Sequence, residues 1–176
     1  MKARVATVWL DGCSGCHMSF LDIDERLVEL ADKIDLVYSP LVDTKEFPPE
    51  VDVTLVEGAV SSDEDLEKLY KIRKNTKILV SLGDCGVTGN LPAMRDCFPV
   101  TAVLNRAYVE NATLQPGAPD QGVPKLLVKA KPLHEYVKVD VFVPGCPPSA
   151  EIIHYTVGEL LAGRIPDLSA RTHFGA

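Results

Sequence analysis

Val5-Ala-Thr-Val-Trp-Leu-Asp-Gly-Cys-Ser-Gly-Cys-His-Met-Ser-Phe20 decides how the chain folds. Val5 to Leu10 is a short apolar run rich in β-branched residues, the mark of a buried strand. Asp11-Gly12 stops it. Cys13 and Cys16 follow among small residues, and from Phe20 onward the apolar residues take helical spacing. A thiol pair on a strand-to-helix turn is a place for a metal, a disulfide or a redox step. What completes the site must come from elsewhere in the chain.

The 176 residues suit one domain with a sizeable core, and 46% hydrophobic with 24% charged residues is ordinary for a soluble globular chain. A net charge of −7 with no basic patch argues against nucleic acid as a partner. No stretch approaches the roughly 20 apolar residues that span a bilayer, so no direct membrane insertion is expected. The N-terminus reads as a strand and carries neither a secretory leader nor a twin arginine, which points to the cytoplasm. Five cysteines there favour metal binding or redox chemistry over a disulfide framework.

The pattern continues as alternating strands and helices. Phe20, Ile23, Leu27, Leu30 and Ala31 predict one amphipathic helix with a solvated acidic face. Strands are expected at Ile34–Ser39, Val51–Val56, Lys77–Leu82 and Val137–Val143. Ser61 or Ser62 can cap a helix carrying Leu66, Leu69 and Ile72, and Ser61-Ser-Asp-Glu64 fits a capping box. Phe98 to Arg106 predicts a short helix. Ser149 caps a last helix that ends at Gly163. Residues 107–138 are broken by prolines and glycines and are expected to be irregular, packed on a partner. Residues 164–176 form a C-terminal arm. The chain reads as one flavodoxin-like domain over 1–176: a doubly wound parallel sheet of about five strands, in the order 2-1-3-4-5, with helices on both faces.

Cys13 and Cys16 follow the first strand, Cys85 the fourth and Cys146 the fifth. In a parallel sheet these turns share the carboxyl edge, where such folds bind their ligands. Four thiols from three segments thus meet on one rim. Four thiolates suit zinc or an iron–sulfur cluster. Structural zinc usually takes two close cysteine pairs, and here Cys85 and Cys146 come singly, so a [4Fe–4S] cube fits the scatter better; a dithiol redox pair stays open. The glycines at 12, 15, 83, 86 and 145 let backbone N–H groups approach sulfur. Glu57 ends the third strand on the same rim, as a proton relay or a plain surface carboxylate. Cys97 reads as a packed thiol, His17 as either a cluster neighbour or an exposed helix-start residue. His134, His154 and His173 lack companions at ligand spacing. Gly83-x-x-Gly86-x-x-Gly89 lacks the P-loop lysine, so no nucleotide site is expected there.

Asp11-Gly-Cys-Ser-Gly-Cys-His-Met-Ser19, Glu57-Gly-Ala-Val60, Gly83-Asp-Cys-Gly-Val-Thr-Gly89 and Pro144-Gly-Cys-Pro-Pro148 together resemble the small subunits of [NiFe] hydrogenases, especially the short ones of cytoplasmic NAD-reducing (bidirectional) enzymes. Val42-Asp-Thr-Lys-Glu-Phe47 and Pro92-Ala-Met-Arg95 resemble that subgroup too. The resemblance runs from Arg4 to about Ala162. It implies a flavodoxin-like domain in which Cys13, Cys16, Cys85 and Cys146 ligate one proximal [4Fe–4S] cluster, with Glu57 at the subunit interface as a candidate in proton transfer. It implies an H2-activating nickel–iron centre on a separate large subunit. Diaphorase-type chains carrying further Fe–S clusters and FMN would pass the electrons to NAD+. This chain would then relay electrons within a hydrogen:NAD+ oxidoreductase without itself activating H2.

The departures matter. Periplasmic and membrane-bound relatives carry a C-terminal domain with more cluster ligands, whereas no cysteine follows Cys146 here. The related subunit of respiratory complex I has adjacent cysteines, whereas Ser14-Gly15 separate Cys13 and Cys16. The competing readings are the equivalent subunit of a membrane energy-converting hydrogenase or quinone reductase, and a zinc-stabilised scaffold domain.

Overall fold

The computed structural model describes residues 2–172 and 174. Its frame is a five-stranded parallel sheet of β1 (Ala3–Trp9), β2 (Ile34–Tyr38), β3 (Val51–Glu57), β5 (Thr76–Leu82) and β7 (Val141–Val143), in the order β2-β1-β3-β5-β7. That is the expected 2-1-3-4-5 order of a doubly wound sheet. β4 (Val60–Ser62) and β6 (Leu126–Lys131) make a separate two-stranded antiparallel sheet. The helices are α1 (Gly15–Leu21), α2 (Arg26–Ala31), α3 (Asp63–Asn75), α4 (Gly83–Thr88), α5 (Asn90–Ala93), α6 (Val100–Asn105) and α7 (Ala150–Leu161).

Alternation along the strands divides the core. On one face Val5, Val53, Leu55, Val80 and Leu82 pack with Phe20, Ile23 and Leu30 of the first helical region and with Ile153, Val157 and Leu160 of α7. On the other, Ala6, Val8, Val56 and Leu79 pack with Leu69 and Ile72 of α3. Central strands covered on both faces must be apolar almost throughout, which is why Val5–Leu10 reads as a continuous run.

Four expectations need correction. The helix predicted from Phe20 to Ala31 is two helices, because Asp24 adopts φ +55° and breaks the ladder. Aspartate tolerates this left-handed conformation better than most residues. Phe20, Ile23 and Leu30 remain buried across the break, so the apolar spacing survived while the helix did not. Of the two serines offered as cap of α3 it is Ser62, and the capping box starts one residue later than Ser61-Ser-Asp-Glu64: the Ser62 hydroxyl accepts from Asp65 N at 3.1 Å and Asp65 Oδ2 accepts from Ser62 N at 3.0 Å, so Asp65 takes the place expected for Glu64. The segment 107–138 is not uniformly irregular: it holds β6, fitted between Pro124 and Pro132, and a short turn at Leu133–Glu135. The helix expected at Phe98–Arg106 starts at Val100 and runs into a π-helical turn, Arg106–Glu110.

The last strand is also shorter than predicted. Asp140 takes the place of a ladder residue with its side chain: Oδ2 accepts from Leu79 N at 2.9 Å and from Arg73 Nη1 at 2.6 Å, while Asp140 N donates to Leu79 O. The C-terminal arm packs back where it is described, with Leu168 buried and Arg171 over the Tyr155 ring; His173 lies outside the described residues.

Burial opposes ionisation of Asp140, but the Leu79 N–H and Arg73 outweigh it and hold the carboxyl below its ordinary 3.8. A lowered folded-state value means that the stabilisation is complete above pH 3.8 and is lost as pH falls through the folded value. Asp140→Asn should therefore cost about 1–3 kcal/mol at pH 7, and much less near pH 3. Urea denaturation at the two pH values checks this; an equal loss at both would contradict the assignment.

Candidate functional site

The carboxyl edge of the sheet carries four turns. After β1, Asp11 to Ser14 lead into α1, with Cys13 exposed and Cys16 half-buried in the first helical turn. Glu57 is the last residue of β3. β5 runs directly into α4, which carries Cys85 half-buried. After β7, Pro144 to Pro148 hold an exposed Cys146 and a cis Cys146–Pro147 peptide before Ser149 caps α7. The structure brings Cys13, Cys16, Cys85 and Cys146 together with Glu57 and Asp84 around one cavity of about 70 Å3.

These turns are laced to one another. Asp84 N donates to Gly145 O at 2.9 Å and Gly145 N donates to Asp84 Oδ1 at 2.7 Å, joining the Cys85 and Cys146 turns reciprocally. Ser19 Oγ donates to Pro148 O at 2.6 Å, tying α1 to the Cys146 turn. Asp11 and Ala59 exchange backbone hydrogen bonds of 3.1 and 2.7 Å, and His17 N donates to Glu57 Oε2 at 2.8 Å. These bonds run between the turns, and Ser19, Asp84 and Glu57 are buried, so the thiol positions are fixed by groups other than the thiols.

Close approach demands glycine at two points. Gly58 has φ +89°, and a Cβ there would sit 2.8 Å from Asp11 O. Gly83 has φ +79°, and a Cβ would overlap Cys16 Sγ. Glycine at 83 is what lets α4 begin against the first cysteine turn.

Three donors reach sulfur: Gly15 N to Cys13 at 3.4 Å, Asn90 Nδ2 to Cys146 at 3.5 Å, and the Leu91 N–H to Cys85. Burial, and then the Glu57 carboxylate and the neighbouring thiols, push the Cys16 thiol far above its ordinary 9.0. Burial likewise raises Cys85. Four thiolates crowded in this way need cationic charge among them, which bound metal supplies. Among the described residues, no three His, Cys, Asp or Glu groups are arranged to hold a single metal ion. The thiols ring a cavity instead of converging on a point. That donor set fits a multi-iron cluster better than one zinc.

Glu57 is 2% exposed, not a plain surface carboxylate, and His17 is 4% exposed, not a surface residue at the start of a helix. His17 Nδ1 lies 3.0 Å from Glu57 Oε2, at an angle that makes no hydrogen bond. His17 Nε2 is 3.0 Å from Thr7 Oγ1, which donates to Ser39 Oγ at 2.8 Å. A buried polar row therefore leads from the cavity beneath β1 to the end of β2. Cys97, expected to be packed, is exposed in a 3-10 turn (Met94–Cys97) and does not line the cavity. His134 stacks edge-on against Phe142. Sequence reading missed Asp84, Ser19 and Asn90; an acid between Gly83 and Cys85, on an otherwise apolar path into the sheet, was the available signal for Asp84.

Residues 13–160 match the family described as NADH ubiquinone oxidoreductase, 20 Kd subunit. The chain belongs to this family. The NAD-reducing hydrogenase HoxS subunit delta of Cupriavidus necator is 45% identical over 95% of this chain and 82% of its own length. A subunit of the F420-non-reducing hydrogenase of Methanocaldococcus jannaschii is 34% identical, and the alignment covers 97% of this chain but 60% of that protein. A chain in the crystal structure of NAD+-reducing [NiFe]-hydrogenase in the H2-reduced state superposes with a TM-score of 0.91 at 44% identity, covering 95% of each chain. The resemblance to [NiFe] hydrogenase small subunits is thus a family relationship, and the α/β sheet is this family's fold.

Gly83→Ala should strain the left-handed backbone and drive Cys16 aside. A loss of at least about 1–3 kcal/mol is expected, read as a lower urea midpoint; an unchanged midpoint would contradict the packing described for Gly83 and Cys16.

Proposed function

We propose that this chain is the electron-relay subunit of a cytoplasmic NAD-reducing [NiFe] hydrogenase, in which Cys13, Cys16, Cys85 and Cys146 hold one proximal [4Fe–4S] cluster. The observation that carries this reading is four thiols from three separate turns around one cavity, in a chain 45% identical to a subunit of an NAD-reducing hydrogenase. A cluster held there would supply one-electron transfer.

The residues of the chain do the rest. Half-buried Cys16 and Cys85 would hold the inner side of such a group, and exposed Cys13 and Cys146 its outer side. Gly15, Asn90 and Leu91 donate hydrogen bonds to sulfur, which stabilises added negative charge. The turns laced through Asp84 fix the positions of Cys85 and Cys146, which would limit reorganisation around a group held there. Glu57, beside the cavity with its Oε2 fixed by His17 N, is placed to carry a proton at its carboxylate toward or away from the interface.

Trp9 at the end of β1, Met18 on α1 and Leu91 on α5 are exposed on elements that lead into or follow the cysteine turns. Exposed apolar side chains there support docking of other chains: the large subunit with its nickel–iron centre, and diaphorase-type chains carrying further Fe–S clusters, FMN and the NAD site. The segment 107–138 is assigned to the same contacts. Among the described residues no helix is long and apolar enough to cross a membrane.

The family's name favours a second reading, a quinone-reductase subunit. Cell fractionation and acceptor choice separate the two, since that complex sediments with membranes and reduces quinone. For the leading reading, Cys85→Ser in the assembled complex should abolish H2-dependent NAD+ reduction and lower the iron content, while NADH-dependent dye reduction by the partner chains persists. Retention of both iron and H2-dependent rate would overturn the ligand assignment.

A further inference from the structure

Pro92-Ala-Met-Arg95 is a motif that ligation does not explain. It belongs to the loop built of α5 and the Met94–Cys97 turn, which leaves α4 through Gly89 at φ +90° and starts with Asn90 at φ +27°. A side chain seldom occupies that backbone region, and an asparagine held there invites a functional reason. The reason is visible: Asn90 Nδ2 lies 3.5 Å from Cys146 Sγ, and the next residue, Leu91, gives its N–H to Cys85. Two of the four thiols thus take hydrogen bonds from consecutive residues of one loop.

The loop is anchored at its far end. Arg95 Nη2 donates to Ser61 O at 3.2 Å and to Leu127 O at 3.0 Å, gripping β4 and β6 together. Asp96 Oδ1 accepts from Ala130 N at 2.9 Å, further along β6. A Cβ at Gly89 would stand 3.7 Å from both Ala130 O and Pro132 Cδ, so the start of the loop rests on the same strand. The two-stranded sheet is therefore a platform from which Asn90 and Leu91 are held against sulfur.

We propose that Asn90 tunes the potential of the cluster through its N–H bond to Cys146, and that Arg95 is the positioning residue that keeps it there by clamping the loop to β4 and β6. This rests on the cluster reading above. Reduction adds one electron to the cluster and its thiolates, with no bond made or broken. An N–H donor at sulfur favours the more negative state and so raises the potential. A single hydrogen bond of ordinary strength shifts the oxidised-to-reduced ratio about two- to fivefold, which for one electron is about 20–40 mV.

The test is a redox titration of the cluster's electron paramagnetic resonance signal in the purified complex, with iron and sulfide measured on each sample. Asn90→Gly removes the donor and suits the positive φ, so folding is spared. It should lower the midpoint potential by the amount given, with iron content unchanged. Asn90→Asp, which puts a carboxylate beside Cys146, should lower it further. Arg95→Met should lower it too, and less so when Asn90 is already glycine. An unmoved potential in fully loaded Asn90→Gly overturns the tuning role, and a strictly additive Arg95→Met shift overturns the clamp. Absence of iron and sulfide from this chain in the wild-type complex would overturn the relay reading itself, and this proposal with it.

Discussion

The reciprocal hydrogen bonds between Asp84 and Gly145 hold the second and third cysteine turns in one frame. Everything at the site depends on that frame. Cys85 and Cys146 belong to turns after different strands, and a small slip of one turn against the other would misplace a thiol. A buried carboxylate accepting a backbone N–H is among the stronger neutral-donor bonds a protein makes. Here its neighbouring N–H returns a bond to the same residue it binds. Ser19 to Pro148 and Asp11 to Ala59 extend the lacing to the first cysteine turn and to the end of β3. The thiols are left free for a ligand because other groups carry the structural work.

That arrangement also sets a cost. Burial and the Glu57 carboxylate make the thiolate forms of Cys16 and Cys85 unfavourable in the bare chain. A bound multi-iron group would remove the penalty by placing positive charge among the sulfurs, which would link its binding to the stability of this edge. Glu57 and His17 add a second buried polar feature, which runs back through Thr7 to Ser39. A row of this kind inside an apolar sheet is costly unless satisfied, and it is interrupted at His17 Nδ1, which makes no hydrogen bond to Glu57.

Much of this was legible in the sequence. The apolar runs marked the parallel strands because strands buried on both faces leave little room for polar residues. Their alternation with helices was enough to place three cysteine turns on one edge. What escaped was whatever depends on partners distant in sequence. β6 pairs with β4 across more than sixty residues, and its Leu-Leu-Val-Lys-Ala-Lys sequence is too short, and alternates over too few residues, to stand out beside flanking prolines. The break at Asp24 leaves apolar spacing intact, so periodicity did not register it. Glu57 and His17 could pass for surface groups because burial of a charge or an imidazole shows only when the opposing element is present. Asn90 reads as a turn residue, and only the fold brings it to Cys146.

The central claim is that one multi-iron cluster sits among Cys13, Cys16, Cys85 and Cys146. Anomalous diffraction from crystals of the anaerobically purified complex, collected on both sides of the iron and zinc edges, tests it most directly. A compact group of iron peaks enclosed by these four sulfurs, with no zinc signal, is expected. A single zinc peak there, or four thiols with no metal between them, would contradict it.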